Sequence, residues 1–177
     1  MPAFTIRPAA PADIAAVTDI YAFEVREKTA TFELIPPDRA EMTRRFSEIA
    51  GKGLPYLVAE RGGTIAGYAY AAPYRARPAY RFTVENSIYL APACQRQGIG
   101  RALLSALIAQ SEALGFRQMI AVIGDSANEA SIRLHVRTGF EMIGTHRDVG
   151  FKFGRWLDSV LMQRALGEGS RSIPKGA

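Results

Sequence analysis

The chain has 177 residues, 48% of them hydrophobic and 22% charged, which fits one soluble globular domain with a core of normal size. Its single cysteine, Cys94, excludes an internal disulfide and a cysteine metal cage. The net charge of +5 is spread over separate elements and mixed with acids, so it does not form a nucleic-acid footprint.

In chain order, "FTIRP" reads as a strand stopped by Pro8, and a helix follows from about Asp13 with Ile14, Val17, Tyr21 and Val25 at helical spacing. "TATFELIPP" is a loop closed by Pro36 and Pro37, after which Asp38 opens a second helix carrying Met42, Phe46 and Ile49. "YLVAE", the turn Arg61-Gly62-Gly63-Thr64 and "IAGYAYA" make a hairpin, and "YRFTVENSIYLAP" is a further strand.

A helix with Leu103, Leu104, Leu107, Ile108 and Leu114 then runs to Gly115. "QMIAVIG" is apolar throughout, as a buried central strand would be. "NEASIRLHVRTGF" is a short helix with its C-terminal glycine at Gly139, and strands follow near Phe140 to Gly144 and Leu157 to Gln163. The order predicts an α/β fold: a mixed sheet with helices on both faces, in one domain over 1–166. The tail 167–177 reads as flexible. No signal peptide or membrane span is legible, which points to the cytoplasm.

Between strand and helix stands "CQRQGIGRALL". A helix start leaves several backbone N–H groups without partners and carries the positive end of the helix dipole, so it forms an anion site. Gly98 and Gly100 let a phosphate approach, with φ > 0 available at either, and Arg96 and Arg101 flank the loop. Neither a G-x-G-x-x-G nor a G-x-x-x-x-G-K-[ST] loop fits, since Leu103 stands where the third glycine of the former would be.

Gln95-Arg96-Gln97-Gly98-Ile99-Gly100 resembles the Q/R-x-x-G-x-G/A loop of the GNAT superfamily of acetyl-CoA-dependent N-acetyltransferases. Asn128, Ser131, Leu134, His135, Gly139 and Phe140 fall in register with a second segment of that family. "TATFE", "YRARPAYRFTVENSIYL", "AVIGDSANEASIRLH" and "GFKFGRWLDSVLMQ" are similar to its phosphinothricin and methionine sulfoximine N-acetyltransferase branch, over about residues 4–164. The resemblance implies a mostly antiparallel seven-stranded sheet, about four flanking helices and a splay at the coenzyme A site. It implies direct acetyl transfer to the α-amino group of methionine sulfoximine, methionine sulfone or phosphinothricin, in a homodimer without a metal.

For the cofactor, the resemblance implies residues Gln95 to Arg101 on the pyrophosphate, Ile88, Tyr89 and Leu90 along the pantetheine, and Asn128 on its arm. Asn128 fits a helix N-cap equally well. The Leu90 N–H would meet the thioester oxyanion. Glu85 stands among apolar residues that would raise its pKa; spacing alone favours a surface glutamate in a salt bridge, whereas the resemblance implies a catalytic general base at this position. His135 is a second catalytic candidate, as acid, base or packed helix residue. Arg75 and Arg77, on one side if their stretch is extended, can clamp an acidic group. The resemblance implies Phe32 and Glu33 in the acceptor pocket, with Tyr80, Asn86 and Ser87 as further candidates to complete it, while Trp156 is assigned to packing or a dimer contact. Two alternatives stay open: acetylation of another amine or a protein N-terminus, and a coenzyme A-binding module without turnover.

Overall fold

The computed structural model describes residues 4–174 and 176. Seven strands form one sheet in the order β1-β2-β3-β4-β5-β7-β6: β1 Thr5–Pro8, β2 Tyr56–Arg61, β3 Thr64–Pro73, β4 Thr83–Leu90, β5 Gln118–Gly124, β6 Glu141–Lys152 and β7 Arg155–Ala165. The pairings are antiparallel except β4 with β5. Helices α1 Ile14–Glu27 and α2 Arg39–Gly51 pack on one face, and α3 Ile99–Ala113 on the other, with α4 Glu129–Arg137 beside it. Short 3-10 turns at 11–13, 78–80 and 92–94 each begin at a proline.

The alternation of "IAGYAYA" explains the two layers. Tyr68 and Tyr70 point towards α1 and α2, where they stack with Tyr56 at ring-centroid distances of 5.9 and 5.1 Å. Ala69 and Ala71 point the other way and let α3 settle close to the sheet, its Leu103, Leu104 and Leu107 fully buried.

Three elements depart from expectation. Leu114 is not on the core face of α3; it caps the helix and is 53% exposed. The final strands are much longer than "Phe140 to Gly144" and "Leu157 to Gln163", forming a hairpin turned at Phe153 and Gly154. Its first strand breaks register between His146 and Gly150 and lies at the sheet edge, so the apolar alternation that marks a strand is lost there. The tail expected to be flexible makes contacts: the Arg117 guanidinium donates to Ser172 Oγ at 3.0 Å and pairs with Glu168 at 3.6 Å. No helix of the described residues is long and apolar enough to cross a membrane.

Candidate functional site

The parallel ladder between β4 and β5 ends early. It pairs Thr83 to Asn86 with Gln118 to Ala121, yet β4 continues to Leu90 and β5 to Gly124. Beyond Asn86 the strands diverge into a fork. Antiparallel strands alternate between pairs that exchange hydrogen bonds and pairs that do not. Ala91 N donates to Ala66 O and Tyr74 N to Thr83 O, which by parity turns the main-chain groups of Glu85, Ser87 and Tyr89 towards β3. Those of Ile88 and Leu90 therefore face the fork. On the far side, the Asp125 N to Asp158 O bond turns Val122 and Gly124 into it by the same parity.

That alternation keeps the Ile88 and Leu90 amides available to a ligand and corrects the expectation for Tyr89. Its amide is directed at β3, and its ring meets Tyr21 edge-on at 5.1 Å on the α1 side.

At the mouth of the fork stands the N-terminus of α3. No side chain caps it, and the first intrahelical bond runs from Ala102 N to Gly98 O, leaving the Ile99, Gly100 and Arg101 amides without intrahelical partners. The two glycines have different tasks, whereas sequence allowed φ > 0 at both. Gly98 has φ +83° with open space around it. Gly100 is helical, and a Cβ there would stand 3.3 Å from Leu90 Cδ1, so its bare backbone lets Leu90 lie beneath the helix start. Arg96 takes φ +59° and is exposed, as are Gln95 and Arg101, while Ile99 is buried. Gln97 braces the loop, donating to Ala93 O at 2.9 Å and accepting from Arg61. An uncapped helix start beside a strip of free main-chain groups fits an extended ligand with a phosphate at one end.

Glu85 projects from β4 on the α1 side, half-buried, and burial raises its carboxyl pKa while Arg75 opposes the rise. Tyr70 lies close enough to feel the charges of Arg45, Glu85 and Glu33, with Ser87 its cross-strand partner on β4, which places these groups around one space. Arg75 rests on the rings of Tyr74 and Tyr80 at 5.1 and 5.9 Å. The stretch holding Arg75 and Arg77 is bent and enters a 3-10 turn, so the same-side expectation for an extended strand does not apply. Arg77 is exposed and caps that turn.

Two expected acceptor contacts are occupied within the protein. The Glu33 carboxylate accepts from Arg45 at 2.7 Å and from Tyr21 Oη at 2.9 Å, which fixes the end of the 28–33 loop. Asn86 is 5% exposed and faces away from Glu85: its Nδ2 donates to Ile120 O at 3.1 Å, and its Oδ1 lies 3.1 Å from His135 Nε2.

His135 is 2% exposed, with Nδ1 2.8 Å from Ser131 O and its ring against Phe140. Both ring nitrogens thus have protein partners, and burial lowers the imidazole pKa. Asn128 is the N-cap of α4, its Oδ1 accepting from Ser131 N at 3.3 Å.

Sequence reading missed Arg45, Lys152 and Asp125 as the groups that hold the 28–33 loop. Lys152, 3% exposed, donates to Thr31 O at 2.8 Å; burial lowers its pKa and Glu24 and Glu33 oppose that. Asp125 accepts from Thr29 Oγ1 at 3.0 Å and from the Arg155 guanidinium. These contacts span up to 121 residues of chain, and no local spacing announces them.

Comparison with known proteins gives the family. The family model described as an acetyltransferase (GNAT) domain matches residues 6–161. A phosphinothricin N-acetyltransferase of Alcaligenes faecalis is 53% identical over 98% of this chain and 88% of its own length. The L-methionine sulfoximine/L-methionine sulfone acetyltransferase of Salmonella typhimurium is 42% identical over 93% of this chain and 95% of its own. The crystal structure of a GNAT superfamily phosphinothricin acetyltransferase from Sinorhizobium meliloti, in complex with AcCoA, superposes with a TM-score of 0.96 at 51% identity, covering 100% of this chain and 95% of that one.

Proposed function

The chain belongs to the GNAT acetyltransferase family and is an acetyl-CoA-dependent N-acetyltransferase, and on that premise we propose which acceptor it takes and which residues carry the transfer. The acceptor is a small amino acid with a tetrahedral polar head, namely phosphinothricin, methionine sulfoximine or methionine sulfone, acetylated on its α-amino group. The observation that carries this assignment is Arg75, a guanidinium laid on the rings of Tyr74 and Tyr80 near the half-buried Glu85 carboxyl, which puts an anion-binding group beside a base at the opening of the fork.

Glu85 takes the proton from the acceptor ammonium, either directly or through a water, because only the neutral amine is nucleophilic. The Leu90 N–H donates to the thioester oxygen as that oxygen gains negative charge, and Ile88 pairs with the pantetheine. The α3 amides from Ile99 to Arg101 hold the pyrophosphate, with Arg96 and Arg101 adding charge. Arg75, held on its two tyrosines, binds the acidic end of the acceptor; Arg77, Phe32 and Tyr80 complete the pocket. Glu33 and Asn86 act through the loop and the fork instead of through the acceptor.

His135 positions the fork. The chain Ile120 O, Asn86 amide, His135 imidazole, Ser131 O begins and ends on carbonyl acceptors, so its three links need three donors. A neutral imidazole and one amide supply only two, so with Nε2–H donating to Asn86 Oδ1 the bare Nδ1 is left to accept from Ser131 Oγ at 3.5 Å, and the Nε2 position is spent on Asn86 instead of a leaving thiolate. The protein works in the cytoplasm as a homodimer. Supporting the dimer, Val149, Phe151, Phe153 and Trp156 are each more than half exposed on the β6–β7 hairpin, an apolar face at the sheet edge.

The test is thiol release from acetyl-CoA with the three acceptors, a polyamine and a peptide N-terminus. Turnover with the first three, lost in Glu85→Gln and showing a raised acceptor KM in Arg75→Ala, is the expected result. Binding of acetyl-CoA without turnover of any amine would assign the protein as a non-catalytic binding module.

A further inference from the structure

The 28–33 loop is fastened on each side of Phe32 but not at Phe32 itself. Thr29 is held by Asp125, Thr31 by Lys152, and Glu33 by Tyr21 and Arg45. The Phe32 ring, 38% exposed, lies in a slot between two glycines on β5 and β6, the strands on either side of β7. A Cβ at Gly150 would stand 2.4 Å from Phe32 Cε2 and 2.9 Å from Cζ, and a Cβ at Gly124 would stand 3.1 Å from Phe32 Cε1. Gly150 is in strand β6 with no positive φ, so its backbone suits any residue; what excludes a side chain there is the ring. Gly124 ends β5, where its main-chain groups face the fork, so the ring stands over the end of the fork on that side.

We propose that Gly124 and Gly150 are specificity-determining positions: by their lack of side chains they seat Phe32, and the seated ring sets the depth of the acceptor pocket. This rests on the acceptor assignment above. A carbon–carbon contact settles at about 3.5–4.0 Å, so a methyl group at Gly150 moves the ring by about an ångström or more. With the loop main chain tied on both sides, the ring can leave the slot only by rotating its side chain towards the space beside it. A displacement of that size is comparable to adding a methylene to the pocket wall, which is worth roughly tenfold or more in discrimination. Gly124 is the poorer probe, because a Cβ there would also stand 2.4 Å from Thr29 O, a main-chain atom.

The experiment is a double-mutant cycle of Gly150→Ala and Phe32→Ala, with KM measured separately for methionine sulfone and for acetyl-CoA. Gly150→Ala is expected to raise the acceptor KM about tenfold and to leave the acetyl-CoA KM within about twofold, the latter also reporting an intact fold. In the Phe32→Ala background the same glycine substitution is expected to change neither constant more than about twofold, because the clash it relies on is gone. An undiminished effect in that background, or equal rises in both KM values in the Phe32-containing enzyme, overturns the proposal while the acceptor assignment stands. A wild-type protein that turns over none of the three acceptors overturns both.

Discussion

Glu85 is subject to two opposing influences, and their balance is measurable. Burial raises its pKa above the ordinary value of 4.5, and the Arg75 charge draws it back. A base works only when deprotonated, so kcat/KM falls as pH drops through that pKa, and the acid limb of the profile should lie above the ordinary carboxylate value. Removing the guanidinium in Arg75→Ala takes away the lowering influence, so the limb should move to higher pH; an unmoved limb would break the electrostatic link. Glu85→Gln should reduce kcat by roughly 10²–10⁴. His135→Phe probes a different property. It leaves the buried Asn86 Oδ1 without its donor, at a cost of about 1–3 kcal/mol, so Tm should fall and the acetyl-CoA KM should rise. The acid limb set by Glu85 should stay in place, and a loss of kcat as large as that in Glu85→Gln would make His135 the acid.

At the scale of elements, the proposed cofactor site is a consequence of how β4 ends and α3 begins. Leu90 is common to both: its main chain faces the fork, and its side chain fills the space that Gly100 and Gly67 leave open. Gly98 supplies the left-handed turn into the helix at φ +83°, which costs an alanine roughly 1–2 kcal/mol. Gly98→Ala should therefore lower Tm and raise the acetyl-CoA KM, with little change in acceptor KM. Steady-state titration of each substrate at saturation of the other separates the two. Equal changes in both KM values would mean that the loop also shapes the acceptor side.

At the scale of the molecule, the β6–β7 hairpin leaves an apolar face that a second copy would cover, with Phe151 and Trp156 meeting edge-on at 5.3 Å. Trp156→Lys should shift the protein from dimer to monomer in sedimentation equilibrium, and an unchanged mass would remove this hairpin as the interface. Local order of the chain was enough to find the strands of "YLVAE" and "QMIAVIG", the helix after the glycine loop and the loop itself, because each is encoded by periodicity and capping within a few turns of backbone. The family resemblance of "QRQGIG" and "TVENS" was legible for the same reason, since each motif is contiguous. Only the tertiary structure decided which way Asn86 and Tyr89 point, that Glu33 is held by Arg45, that His135 lies buried between Asn86 and Ser131, and that Gly124 and Gly150 seat Phe32. Those outcomes depend on strand parity and on contacts between residues far apart in the chain, which no local pattern records.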